Sequence, residues 1–397
     1  MTDKAVTAPP PKRGTTSLIY DPKVRSIFFQ VATVVVIVVS VMWIAHNVST
    51  NLARSNTASG YGFLNGRSGF DIGQSLIAYS SDSTYGRAIL VGFLNTLLIA
   101  VTGIITATIV GFIIGIGRLS KNWLIAKLCT VYVEVFRNIP PLLVIFFWYS
   151  GVLAILPQPR DAIQGPLSTF LSNRGLTFPY PIWGEGASMI PVAFVIAVIA
   201  AIAFGFWQKK RQMRTGKQLP TGWIAAAIII ALPLIVFIAM GSPLTFDYPV
   251  EGRFNLSGGG TIRPEFVALY LALSLYTAAF IAEIIRAGIK GVGKGQTEAA
   301  AALGLQPNKT TQLVIVPQAF RIIIPPLTSQ YLNLTKNSSL GVAIGFPELF
   351  STGSTSLNQT GQAVEMISIM LTIYLTISIV TSLFMNWFNA KMALVER

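Results

Sequence analysis

Long runs of apolar residues, separated by polar stretches, dominate the pattern of this 397-residue chain. A helix needs about 20 apolar residues to cross the hydrocarbon core of a bilayer. Eight runs qualify or nearly qualify, and they cover residues 27–45, 88–117, 130–156, 189–207, 223–240, 265–285, 321–346 and 364–388. The pattern therefore predicts an all-α integral membrane protein with about eight transmembrane helices.

Prolines interrupt two of these runs. Pro140 and Pro141 stand inside the third run, where we expect them to break the helix. Pro325 and Pro326 interrupt the seventh run, which also carries a polar cluster. Such a segment spans a bilayer only if neighbouring helices shield its polar groups. The seventh run is therefore predicted to be a broken or re-entrant helix.

Composition supports a membrane location. Charged residues make up 11% of the chain, whereas soluble domains carry about 25%. The net charge of +14 indicates basic loops on one side of a membrane rather than nucleic-acid binding. The single cysteine, Cys129, excludes an intramolecular disulfide, and the single histidine, His46, is interpreted as an interface residue. We expect no metal site, no cofactor and no catalytic cluster.

Loop charges predict the topology. With the N-terminus in the cytoplasm, the inner segments are 1–26, 118–127, 208–222, 286–321 and 389–397. They hold 20 lysines and arginines, against 7 in the outer segments 46–87, 157–188, 241–264 and 347–363. Cytoplasmic loops of membrane proteins carry such an excess of basic residues. Both termini are therefore expected in the cytoplasm.

The order of the apolar runs suggests a core of five spans to which further segments are added. Residues 1–26 are polar and rich in proline, and they are predicted to form a cytoplasmic tail. Residues 27–87 then provide an extra N-terminal span and a periplasmic segment, and residues 157–264 form an inserted region with two spans around the basic loop 208–222. The remaining segments, 88–156 and 265–390, supply five spans.

The loop 286–321 has the most informative sequence. Thr297 is a candidate helix cap, and Glu298 after it suits the positive end of a helix dipole. Four alanines follow, and Gly304 is placed to end the helix in a left-handed conformation. The predicted product is a helix of about two turns outside the bilayer, with little side-chain bulk, which can enter a groove of another protein.

This loop resembles the EAA loop of ABC importer permeases. The residues in register are Glu298, Ala299, Ala300, Gly304, Val314, Val316 and Pro317. Valines replace the usual isoleucine and leucine. The resemblance implies a type I ABC importer permease core of five spans, in which this loop docks into a separate ATPase subunit. An ordinary alanine-rich connector is the alternative.

Further segments resemble the polar amino acid permeases (the His/Glu/Gln/Arg group). They are Tyr132–Leu143, Ala282–Ile289 and Gln296, so that the resemblance covers about 88–156 and 265–388. Glu134 and Arg137 are three residues apart and could pair on one helix face. They could equally form a charge pair at the membrane boundary without a further role.

A polar patch lies in the seventh run. Asn333, Lys336 and Asn337 have the spacing of one helix face, and Ser338 follows them. A lysine within a span is costly and by default functional. Its ammonium could bind a substrate carboxylate, which makes these four residues a candidate substrate path. Alternatively, Lys336 pairs with Glu365 or extends towards the membrane surface.

Glycines in several other places form weaker signals. Residues 288–295 nearly fit a phosphate-binding loop, but Gly295 stands where the motif needs serine or threonine. No nucleotide site is expected there. The pairs Gly111/Gly115 and Gly341/Gly345 fit the small-residue spacing that packs membrane helices together.

The chain length, the N-terminal span and the inserted pair resemble permeases of the general L-amino-acid transporters (the Aap/Bzt group, Q/B-type subunit). The family implies ATPase subunits, a second permease subunit, identical or similar, and a periplasmic amino-acid-binding protein as partners. The implied function is ATP-driven import of L-amino acids over a broad, polar range. An ion-coupled secondary transporter is the second hypothesis, since Lys336 would permit it, and a membrane enzyme is a third.

Overall fold

Long helices form most of the structure, a computed structural model that describes residues 22–54, 60–217, 219–252 and 255–392. The helices are α1 Pro22–Arg54, α2 Tyr85–Gly117, α3 Trp123–Arg137, α4 Pro141–Phe146, α5 Met189–Thr215, α6 Thr221–Ala239, α7 Pro264–Gly291, α8 Lys294–Ala302, α9 Pro307–Thr310, α10 Val316–Asn337, α11 Leu349–Thr360 and α12 Ala363–Met392.

The helices agree with the predicted spans. Among the described residues, six helices are long and apolar enough to cross a membrane, or seven if the bent pair α3–α4 is one span. The more polar α10 adds an eighth segment. The first span starts at Pro22, so residues 22–26 are helical rather than part of the tail. The rest of the predicted tail lies outside the described residues.

The two proline pairs behave differently. The chain bends by 108° between α3 and the segment that starts at Pro141, which confirms the predicted break. In contrast, α10 runs unbroken through Pro325 and Pro326, so the prediction of a broken helix is wrong. Ile324 and Leu327 of α10 are buried in the core, and this tertiary packing holds the helix together where two backbone donors are missing.

The core forms where α7 packs between α2 and α10. A Cβ atom added to Gly111 of α2 would lie 2.6 Å from Cγ2 of Ile281, and one added to Gly115 would lie 2.7 Å from Cβ of Ile285. These glycines let the backbones of α2 and α7 approach closely, as their spacing predicted. Gly341 also packs tightly, but Gly345 has a φ of 78° and open space around it, so it ends a helical segment instead.

A charge cluster joins these helices at the ends that are predicted to face the cytoplasm. Glu283 of α7 accepts hydrogen bonds from Arg118, which follows α2, and from Arg286. Arg137 at the end of α3 lies 4.0 Å from Glu283, and Arg118 lies 3.9 Å from Glu134. The predicted pair between Glu134 and Arg137 is therefore replaced by contacts that join separate helices.

The inserted region combines a helix pair with strands. The side of α5 that packs against α6 consists of small buried residues, namely Ala193, Ala197 and Ala201. The outer segments, predicted as loops, contain the strands β1 Ile163–Gly165, β2 Thr169–Ser172, β3 Gly175–Phe178, β4 Tyr180–Trp183, β5 Leu244–Asp247, β6 Val250–Glu251, β7 Leu256–Ser257 and β8 Gly260–Ile262. A four-stranded antiparallel sheet has the order β1-β2-β3-β8, and it connects to the start of α7.

The last outer segment, 347–363, is also structured. Glu348 is fully buried and caps α11, because its carboxylate accepts hydrogen bonds from the backbone N–H groups of Phe350 (2.8 Å) and Ser351 (2.7 Å). The hydroxyl of Tyr374 donates to the same carboxylate at 2.8 Å. Burial nevertheless raises the pKa of Glu348 to about 7. This cap fixes α11 against α12.

We expect Gly111→Ala to destabilise the protein by about 1–3 kcal/mol, because the new methyl group must push α2 and α7 apart. Gly205→Ala is the matched control, since a Cβ there has no neighbour within 4 Å. Denaturant unfolding of the purified protein in detergent measures both. Equal stability of the two variants would contradict the close contact.

Candidate functional site: the short helix α8 and the polar face of α10

The helix α8 lies between α7 and α10, in the segment predicted to be cytoplasmic. It begins at Lys294 with Gly293 as its cap, so the predicted cap at Thr297 is wrong. The extended backbone of Gly293 starts the helix four residues early, and Glu298 therefore falls after the first turn. At the other end, Gly304 has a φ of 74°, which confirms the predicted left-handed termination.

One side of α8 packs inward and the other is open. Ala300 is 3% exposed, and its carbonyl accepts a 3.1 Å hydrogen bond from Leu305 N–H in the returning chain. Glu298 and Ala299 are exposed. Leu303 is 82% exposed at the end of the helix. The surface thus combines small side chains with one large apolar group, which suits insertion into a complementary groove.

Leu303 was not identified from the sequence. The sequence feature that could have identified it is a large apolar side chain directly after four alanines, outside the predicted spans. Val314, also part of the matched pattern, is half-buried in a π-helical segment, Thr311–Ile315. Val316 and Pro317 form the first turn of α10, where proline is favoured.

The connection from α8 to α10 is short, and a side-chain hydrogen bond links the two helices. The side chain of Gln318 in α10 donates a 3.0 Å hydrogen bond to the side chain of Gln296 in α8. The helix α9 and the π-helical segment fill the turn between them. α8 is therefore joined directly to the first turns of α10.

The same helix α10 carries the polar patch. Asn333 and Lys336 are exposed and Asn337 is half-buried, in agreement with one shared face. Among the described residues, no carboxylate lies within ion-pair distance of Lys336. Glu365 instead accepts a hydrogen bond from Gly60 N–H at 2.8 Å, so the alternative pairing of Lys336 with Glu365 is wrong.

Ser338 is separated from this face. Its side chain is fully buried, and its hydroxyl donates to the carbonyl of Thr335 at 2.7 Å. The remaining three side chains offer an ammonium and two amides. An ammonium binds carboxylates, and amides can donate to or accept from a polar ligand.

The near-match to a phosphate-binding loop has a structural explanation. Residues 288–291 are the last residues of α7, and a Cβ on Gly288 would lie 2.3 Å from Cγ1 of Ile323 in α10. That glycine therefore serves helix packing. Within the described part of the chain, no three His, Cys, Asp or Glu residues are grouped so that they could hold a metal ion.

Similar proteins agree on one family. The model of the "Binding-protein-dependent transport system inner membrane component" family matches residues 215–394. The chain is 67% identical over 381 residues to the "General L-amino acid transport system permease protein AapQ" of Rhizobium johnstonii, covering 96% of this chain and 95% of that protein.

Two further relatives match along nearly their whole length. The "Putative amino-acid ABC transporter permease protein YhdX" of Escherichia coli is 50% identical, covering 95% of this chain and 96% of that protein. The "Glutamate/glutamine/aspartate/asparagine transport system permease protein BztB" of Rhodobacter capsulatus is 41% identical, covering 99% of this chain and 100% of that protein. These matches give no support to an ion-coupled secondary transporter. The chain belongs to the inner-membrane permease components of binding-protein-dependent ABC transporters, in the group of the amino-acid permeases.

Proposed function

We propose that this chain imports L-amino acids through the bacterial inner membrane, driven by separate ATPase subunits that dock on α8. The observation that carries the proposal is the open surface of α8, where Glu298, Ala299 and Leu303 are exposed while Ala300 packs inward. The relatives named for general and polar amino acids support a broad substrate range.

The mechanism is a two-state gate. Closure of the ATPase pair moves α8. The hydrogen bond from Gln318 to Gln296 passes this motion to α10. Since α10 also carries Lys336, the substrate face and the docking helix move as connected parts. ATP binding thereby shifts the core from an inward-open to an outward-open state, in which a binding protein delivers the amino acid.

The exposed face of Asn333, Lys336 and Asn337 contacts the substrate in this mechanism. The ammonium of Lys336 binds the substrate carboxylate, and the two amides hold its other polar groups. Ser338 is buried beside this face, and its hydroxyl donates a hydrogen bond to the carbonyl of Thr335.

The complete transporter contains further subunits. A second permease, identical or similar to this chain, completes the pathway, and a periplasmic amino-acid-binding protein supplies the substrate. Residues 88–156 and 265–390 form the permease core, and both termini of the chain lie in the cytoplasm. Lipid surrounds α1, none of whose described side chains is buried.

Gly304→Asp is expected to lower amino-acid uptake and substrate-stimulated ATP hydrolysis at least tenfold, without loss of the protein from the membrane. The substitution strains a left-handed position and adds a charge beside the docking surface. Gly216→Asp is the matched control, because Gly216 has a φ of 68° at the inner end of α5 and equally open surroundings. Equal uptake by both variants would contradict ATPase docking on α8.

Lys336→Ala is expected to raise the apparent KM for uptake about tenfold or more, since a charged hydrogen bond contributes about 1.5–3 kcal/mol. Lys121→Ala, which removes an exposed lysine from the inner loop after α2, should leave the KM unchanged. Uptake assays in proteoliposomes with several amino acids measure the effect. An unchanged KM for all of them would remove Lys336 from the substrate path.

A further inference from the structure

The inserted region helps to form a polar cavity at the outer end of α7. The strand β8 leads directly into Arg263 and the first turn of α7, and the neighbouring strand β3 is joined to β2 by the turn with Asn173 and Arg174. These residues, with Tyr149 and Glu265, line a cavity of about 650 Å3. That volume lies within the range of about 300–1,000 Å3 typical of small-molecule sites.

The acceptors in this cavity are incompletely satisfied. One carboxylate oxygen of Glu265 accepts a 3.3 Å hydrogen bond from the hydroxyl of Tyr149. The other oxygen is buried and has no hydrogen-bond partner among the described residues, and the same holds for the side-chain oxygen of Asn173. Buried acceptors of this kind are costly unless a donor reaches them. A cationic donor such as an ammonium group would satisfy acceptors of this kind.

Two guanidinium groups line the same space. Arg174 donates a 3.1 Å hydrogen bond to the side chain of Asn255, which holds it at the rim. Arg263 lies against the backbone at Gly73, where an added Cβ would be 2.2 Å from the guanidinium nitrogen. Arginine is suited to planar carboxylates, which it binds through paired N–H groups. The cavity therefore offers groups for a carboxylate beside groups for an ammonium.

A second, smaller cavity of about 240 Å3 continues this space. It shares Gly73, Arg263 and Glu265, and its other wall includes Phe346 and Thr352. Phe346 follows the 3-10 segment Ser338–Ile344, which extends from the end of α10. The polar space therefore leads from the inserted sheet towards the helix that carries the candidate substrate face.

We propose that this cavity is an outer-mouth site that binds the α-ammonium and α-carboxylate of an amino acid before it reaches α10. Glu265 and Asn173 bind the ammonium, and Arg263 and Arg174 bind the carboxylate. Recognition is limited to the groups common to all amino acids, so the site accepts many side chains. The proposal rests on the proposed function, and it gives the inserted region a role in substrate capture.

The test measures equilibrium binding of radiolabelled L-leucine to the assembled transporter in nanodiscs, without binding protein and without ATP. A Lys336→Ala chain is used, so that binding at the face of α10 does not obscure the result. Glu265→Gln and Arg263→Gln are each expected to weaken binding at least tenfold. Arg160→Gln, at an exposed outer pair with Asp161, should bind L-leucine as the parent chain does.

Competition identifies the groups that are recognised. Neither 4-methylpentanoate, which lacks the ammonium, nor isopentylamine, which lacks the carboxylate, should displace L-leucine. The binding measurement is repeated with Arg174→Gln. Arg174 lies on an exposed turn, where a substitution is least expected to disturb folding. Normal L-leucine binding in all three charge variants, or displacement by either analogue, would overturn the proposal.

The cavity could instead contact the binding protein. If the charge variants reduce the affinity for the binding protein in surface plasmon resonance but bind L-leucine normally, the outer-mouth site is refuted and the surface serves docking. ATP-driven uptake is measured separately in the otherwise unmodified chain. Its absence would contradict the proposed function, whereas the binding results alone decide the outer-mouth site.

Discussion

The close approach of α7 to its two neighbours is the contact on which the rest of the structure depends. Gly111 and Gly115 allow α2 to touch α7, and Gly288 allows α7 to touch α10. Because α7 is fixed between them, the chain presents Arg263 and Glu265 at its first turn, and its other end leads into α8. Association of helices in lipid relies on such packing, since lipid is as apolar as the side chains.

Much of the helical architecture follows from sequence alone, because apolar runs of sufficient length have few alternatives in a bilayer. The strands of the inserted region do not follow from it. They are two to four residues long, and the sheet joins segments on either side of the α5–α6 pair, as where β3 meets β8. The continuity of α10 through Pro325 and Pro326 was also unpredictable, because it depends on burial against α7 rather than on local propensity.

The candidate site was predictable where local geometry decides it. The left-handed end of α8 at Gly304 and the shared face of Asn333, Lys336 and Asn337 need only helix periodicity and glycine stereochemistry. Long-range contacts were not accessible in the same way. The hydrogen bond that Arg118 donates to Glu283 joins residues far apart in sequence. Burial likewise separates Ser338 from these three residues, although its place directly after Asn337 in the sequence had included it in the candidate substrate path.

Docking on α8 is the central claim, and Leu303 tests it most directly. Leu303→Cys is introduced in a Cys129→Ser chain, and the rate of maleimide labelling is measured before and after the ATPase subunits are added. Met213→Cys, at a comparably exposed position on the same predicted side, is the control. Docking predicts at least tenfold slower labelling at position 303 only. Unchanged labelling of Leu303→Cys in a complex that has assembled would contradict it.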